Sequence, residues 1–219
     1  MKIEQAVQVL QEFTKSNPTG TIANIEAMLP GVMGQTCTLA IDECGASSQA
    51  LGAAALVKQL AGQINVVIHA LGILRCLPHI LQPDEKITLL SLGAGNTGRQ
   101  FDLVTDRQIA EFKFIRWRGG AEAIRQDSLF KDFYSLAESS IEKQKNLYVL
   151  GTQHPLAFFS GSRVLTSVCS RNRSLLDKLQ ADYPNAVTVQ DYYALRKDAV
   201  SLIDVSDWLP ELALQDDGS

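Results

Sequence analysis

Two carboxylates and an ammonium are spaced for chemistry in the run FDLVTDRQIAEFK, from Phe101 to Lys113. Phe101–Val104 and Gln108–Phe114 read as strands joined by a turn at Thr105-Asp106-Arg107. Side chains alternate faces along a strand, so Ile109, Glu111 and Lys113 share one face while Ala110, Phe112 and Phe114 share the other. Asp102 sits between the apolar Phe101 and Leu103, where an unpaired charge is costly. If the two runs pair as a hairpin with Asp102 on the Glu111 face, two acids and a lysine meet at one point. The bland reading of the same residues is a solvated hairpin with a cross-strand Asp/Lys ion pair, which is worth little.

Several elements must position that point. Ile87–Leu92 is a continuous apolar run and is expected to be a strand, followed by the Gly93–Gly98 loop and the hairpin. Residues 121–143 place Ile124, Phe130, Phe133, Ala137 and Ile141 near one helical face, and Leu147–Leu150 reads as a buried strand reached through a right-handed crossover. Upstream, helices are expected at 3–13, 21–29, 48–62 and 63–81, with Ser47/Ser48 as a cap and a break near Gly62. Thr36–Ile41 is a candidate strand. Downstream, a strand at 163–169, a helix at 172–182 and a further strand at 186–189 are expected. The order over 63–151 is helix, strand, strand, strand, helix, strand. Residues 1–62 form a helical N-terminal extension and 152–219 a C-terminal α/β extension of one α/β domain, since no Pro/Gly/Ser linker separates them.

Composition narrows the class. The chain has 219 residues, 46% hydrophobic and 20% charged, which suits a globular protein rather than a disordered one. Its net charge of −4 gives no global basic footprint, so a polyanion site must be local. The local basic run is Lys113, Arg116, Arg118 and Arg125 around Trp117, where phosphate contacts would be nonspecific and salt-sensitive. An ordinary charged surface beside Glu122 and Asp127 reads nearly as well. Cys37, Cys44, Cys76 and Cys169 form no CxxC pair, which points away from zinc and toward a reduced, cytoplasmic setting. The start MKIEQAVQVL carries Glu4 and lacks a long apolar core, so it does not read as a signal peptide. The most apolar window, Ile64–Leu81, is interrupted by Asn65, His69, Arg75, Pro78 and His79 and is a poor membrane span.

Asp102 followed by Glu111-Phe112-Lys113 has the form D-x8-E-x-K and resembles the PD-(D/E)xK nuclease superfamily. The resemblance covers the motif and the element order of 63–151, roughly two-fifths of the chain. It implies a restriction-endonuclease-like core with a mixed central sheet, and magnesium-dependent hydrolysis of phosphodiester bonds in DNA, with RNA the other substrate class. It also implies that Asp102, Glu111 and the carbonyl of Phe112 hold Mg2+ (or Mn2+), and that Lys113 steadies the attacking water or the developing oxyanion. Hard oxygen donors around a cation that keeps several waters suit magnesium. Within this reading the Gly93–Gly98 loop is a tight turn that lets a phosphate backbone approach, with Asn96 and Arg99 as contacts. A homodimer would let two sites cut two strands. Many members carry another acid in the helix before the first strand; here 64–81 has none, and His69 reads first as a hydrogen-bonded core or surface histidine and second as a residue facing the site.

Two other readings stand beside it. Gly93-Ala94-Gly95-Asn96-Thr97-Gly98 matches GxGxxG, a loop used by dinucleotide-binding proteins and similar to that of S-adenosylmethionine methyltransferases. That reading needs a helix opening at Gly98, but RQFDLVTDRQIAEFKF leaves little room for one. From outside the enzymes, a nucleic-acid-binding or assembly protein could keep the fold without activity.

Overall fold

The structure, a computed structural model, describes residues 1–15, 17–30, 33–93, 99–114 and 123–213. Helices at the N-terminus are followed by a five-stranded mixed sheet with interleaved helices. Contacts divide the chain into two units, Met1–Asn65 and Val66–Ser219.

The first unit contains α1 (Ile3–Thr14), α2 (Pro18–Met28), α3 (Gly34–Glu43) and the start of α4 (Ser48–Ile80). Asn17 caps α2 by accepting from the Gly20 N–H at 3.0 Å, and Pro18 fills the first turn, where its missing N–H is not needed. The strand expected at Thr36–Ile41 is instead the body of α3. A run of six residues such as TCTLAI does not separate a period of 2 from one of 3.6. Among the described residues this unit has no strand to pair with, and a helix satisfies its own N–H and C=O groups. The break expected near Gly62 is also absent, because α4 is continuous. A glycine costs only about 1 kcal/mol relative to alanine inside a helix, too little by itself to interrupt one this long.

In the second unit the strands are β1 (Ile87–Leu90), β2 (Leu103–Thr105), β3 (Gln108–Lys113), β4 (Gln144–Val149) and β5 (Ser201–Asp204), adjacent in that order. β1–β2 and β2–β3 are antiparallel, the second joined by the tight turn at Asp106-Arg107; β3–β4 and β4–β5 are parallel and need crossovers. The helix α5 (Ala123–Ala137) makes the first crossover. The second runs through α6 (Gln153–Phe159), α7 (Leu165–Val168), α8 (Arg173–Asp182) and α9 (Val189–Arg196).

Both faces of the sheet centre are covered. Ile109, Leu147 and Val149 join Leu129, Phe130, Phe133 and Leu136 of α5 in one core. Ala110, Phe112, Tyr148 and Leu150 join Ile73 and Cys76 of α4 in the other. Burial on both faces explains why LYVL at 147–150 reads as an unbroken apolar run. The window read as a poor membrane span falls on α4, which by length and composition is long and apolar enough to cross a membrane; Ile73 and Cys76 near its C-terminal end are fully buried, whereas Leu60, Ile64, Val67, Leu71 and Leu74 are exposed.

Two expected boundaries differ. The helix expected over 121–143 ends at Ala137. Lys145 Nζ donates to the carbonyls of Ala137 at 3.2 Å and Ser139 at 2.7 Å, and Ser139 Oγ accepts from the Ile141 N–H, so the last carbonyls are capped and the chain turns. The strands expected at 163–169 and 186–189 reduce to one bridge, Val164 with Thr188. Thr188 then caps α9 through a reciprocal pair with Asp191, which commits the chain to a helix after that single contact.

At Gly72 α4 lies against the Phe114 ring at the end of β3. A Cβ there would lie 2.5 Å from Phe114 Cε2 and 2.6 Å from Cδ2. The Phe114 ring is itself held against Phe112 and His69, with centroids 5.7 and 5.8 Å away. Gly72→Ala is therefore expected to destabilise the fold by about 1–2 kcal/mol, overpacking outweighing the helix propensity regained. The denaturant midpoint reads this; an unchanged or raised midpoint would mean that the ring moves aside freely.

Candidate active site

The register Leu103↔Ala110 and Val104↔Ile109, continued by one pair, sets Asp102 opposite Glu111. Asp102 precedes β2 rather than lying within it. Its backbone carbonyl accepts from Ser91 N at 2.7 Å on the β1 side. Its carboxylate Oδ2 accepts from the Phe112 N–H at 3.1 Å, so the side chain takes over from the ladder on the β3 side. In an antiparallel ladder a residue's N–H and C=O face the same neighbour, which turns the Phe112 carbonyl toward Asp102 too. The next carbonyl, Lys113 O, accepts from Leu150 N on the opposite side.

Alternation places Glu111 and Lys113 on the α5 face, after the buried Ile109. Glu111 is buried, and Lys113 Nζ forms a 2.5 Å ion pair with Asp132 Oδ2 from α5. From the α4 side His69 Nε2 reaches Asp102 Oδ2 at 3.4 Å. The point on which Asp102, Glu111 and Lys113 converge thus also receives an acid from α5 and an imidazole from α4.

Asp132 was not expected from the sequence as a site residue, and His69 only as a second reading, yet both leave a signal. Positions 129, 132, 133 and 136 share one helix face, so Asp132 is a charge inside the stripe of Leu129, Phe133 and Leu136. His69 likewise shares a face with Gly72, Ile73 and Cys76. A polar side chain on a buried stripe needs a partner, and each of these finds one in the site.

The charges are unbalanced, and the acidities show it. Burial, reinforced by the negative charges of Asp132 and Asp102 and only partly opposed by Lys113, pushes the Glu111 carboxyl up to about 9. Glu111 therefore keeps its proton at neutral pH and shares a hydrogen bond with Asp102. Burial would raise Asp102 as well, but the His69 contact, the Phe112 N–H and the Lys113 charge together hold it below the ordinary range. Burial holds Asp132 up despite Lys113 beside it, with Asp102 adding repulsion. Burial would lower Lys113, yet Asp132, Glu111 and Asp102 outweigh it and keep the ammonium charged. Two neighbouring acids pushed to opposite sides of neutrality are the usual mark of an acid/base or cation site.

Whether a divalent cation suits this donor set can be judged from its chemistry. Among the described residues no group of three or more His, Cys, Asp or Glu side chains stands at metal-binding spacing. A cation here would rest on Asp102, Glu111, the Phe112 carbonyl and water, all hard oxygen donors suited to magnesium or manganese. After burial, the charges of Asp132 and Asp102 add to what holds the proton on Glu111, and that negative charge is what such a cation would offset. On these grounds the residues fit.

The other candidate residues are less informative. Arg99 is exposed and donates to the Leu90 carbonyl. Arg125 is half-buried in α5. Asn96, Arg116 and Arg118 lie outside the described residues, as does the loop from 94 to 98. No helix occurs between 99 and 108, where the dinucleotide reading requires one. No family model, characterised protein or solved structure matches the chain.

Proposed function

We propose that this chain hydrolyses phosphodiester bonds in DNA with a divalent cation, magnesium or manganese, in a core of the restriction-endonuclease-like type. The observation that carries the reading is the buried meeting of Asp102, Glu111 and Lys113 at the β2–β3 pair. The order of α4, β1, β2, β3, α5 and β4, with antiparallel pairs first and a parallel pair across α5, supports it. Asp102, Glu111 and the carbonyl of Phe112 would hold the cation. Bound there, it supplies an activated water and offsets charge on the scissile phosphate. Lys113, a compact ammonium held in place by Asp132, orients the water and meets charge as it develops on the phosphate oxygens. Ile109, Val149 and Leu129, buried on the same face of the sheet as Glu111 and Lys113, lower the local dielectric and strengthen these contacts.

The test is cleavage of plasmid DNA and of single-stranded RNA with Mn2+ or Mg2+, with and without a chelator. DNA cleavage that the chelator abolishes is expected. Cleavage of RNA alone would change the substrate class. Cation binding without cleavage would favour a nucleic-acid-binding protein that kept the fold, and neither binding nor cleavage would sink the proposal.

A further inference from the structure

We infer that His69 is a positioning residue for the candidate cation site, holding the Asp102 carboxylate through Oδ2; this rests on the reading of Asp102 as a ligand. Two contacts on Asp102, 3.1 Å from the Phe112 N–H and 3.4 Å from His69 Nε2, fall on the same oxygen, Oδ2. One comes from the sheet and the other from α4, so together they fix the plane of the carboxylate as neither would alone. A carboxylate free to rotate would present either oxygen, and the site would lose its preorganisation.

The surroundings of His69 are built for this placement. Its side chain is 18% exposed, and its ring lies tilted at 55° on Phe114. Gly72, less than one turn further along α4, lacks the Cβ that would push that ring away. Both rings are therefore set by packing, and Nε2 is aimed by the helix rather than by a mobile loop. The helix that carries no carboxylate contributes an imidazole, which acts one step removed from the cation.

Outer partners of ligating groups typically account for roughly 10–100-fold in metal affinity. The experiment uses the full chain and its His69→Ala and His69→Gln variants, titrated with Mn2+ by calorimetry, with thermal midpoints recorded for each. Glutamine offers an N–H near the position of Nε2. His69→Ala is expected to weaken Mn2+ binding about tenfold or more, and His69→Gln to recover most of it, with all three chains folded. Parent-like affinity in His69→Ala overturns the inference, as does an equal loss in both variants, which would make His69 a filler of space. A crystal structure of His69→Ala without metal supplies an independent readout. Asp102 is expected to leave the Phe112 N–H or to adopt a second rotamer, and an unchanged carboxylate overturns the inference. If the parent binds no Mn2+, the cation reading fails, while the Asp102 rotamer still decides whether His69 positions it.

Discussion

Lys113→Ala is expected to leave Mn2+ binding in place while slowing cleavage by about two to three orders of magnitude. Lys113 donates no ligand atom, since an ammonium has three donors and no acceptor. What it supplies is a fixed positive charge where the phosphate oxygens gain negative charge, a preorganised effect worth about 3–4 kcal/mol. Removing it leaves Asp132 without its partner. The Asp132 carboxyl is already held above its ordinary range by burial, so it can take up a proton rather than unfold the site. Lys113→Arg should not rescue fully, because a planar fork does not replace a compact ammonium at the end of β3. Asp102→Ala and Glu111→Ala behave differently: a cation held by two carboxylates and a carbonyl is lost with either acid. Calorimetry and cleavage assays on the same preparations separate the two outcomes. If Lys113→Ala cuts as fast as the parent, Lys113 is a structural partner of Asp132 and nothing more.

The parts of the fold legible in the sequence are those where one periodicity acts alone. In QIAEFK the alternation fixes which side chains share a face, and β3 has them as expected, with Ile109 toward α5 and Phe112 toward α4. Leu147–Leu150 is legible for the opposite reason: both faces are buried, and the run is apolar throughout. Where tertiary partners decide, the sequence is mute. Local signals at the end of α5 are weak, and Lys145 and Arg196 help to stop it at Ala137 by donating to the Ala137 carbonyl from elsewhere in the fold. The hairpin placed Asp102 near Glu111, but not the side-chain hydrogen bond to Phe112 that ends the ladder. His69 and Asp132 were visible as polar residues on apolar stripes. Such stripes say that a partner is needed without saying which, and the partners lie 33 and 19 positions away, at Asp102 and Lys113.

Glu111→Gln is expected to stabilise the fold at pH 7 by roughly 3 kcal/mol, and by less as the pH falls toward 4.5. The sign follows from the direction of the shift. The Glu111 carboxyl rises from an ordinary 4.5 to about 9 on folding. Below 4.5 both folded and unfolded chains hold the proton, and the group contributes no pH dependence. Between 4.5 and 9 the folded chain holds a proton that the unfolded chain has released, so stability falls by about 1.4 kcal/mol per pH unit. Above 9 both are ionised, and the full penalty of a buried carboxylate beside Asp132 and Asp102 remains. Glutamine has nearly the same shape, keeps a donor for Asp102 and does not titrate, so the difference between parent and variant isolates Glu111. Urea midpoints at pH 5, 7 and 8.5 should show a gap that widens with pH. Because a cation needs the ionised form, Mn2+ affinity of the parent should rise with pH across the same window, with about one proton released per ion. Asp132→Asn should lower the upper edge of the window and narrow it, since Asp132 is the largest of the charges that hold the proton on Glu111. A gap between parent and Glu111→Gln that stays constant from pH 5 to 8.5 would show that Glu111 is ionised in the fold, and with it would go the surplus of negative charge on which the cation site is argued.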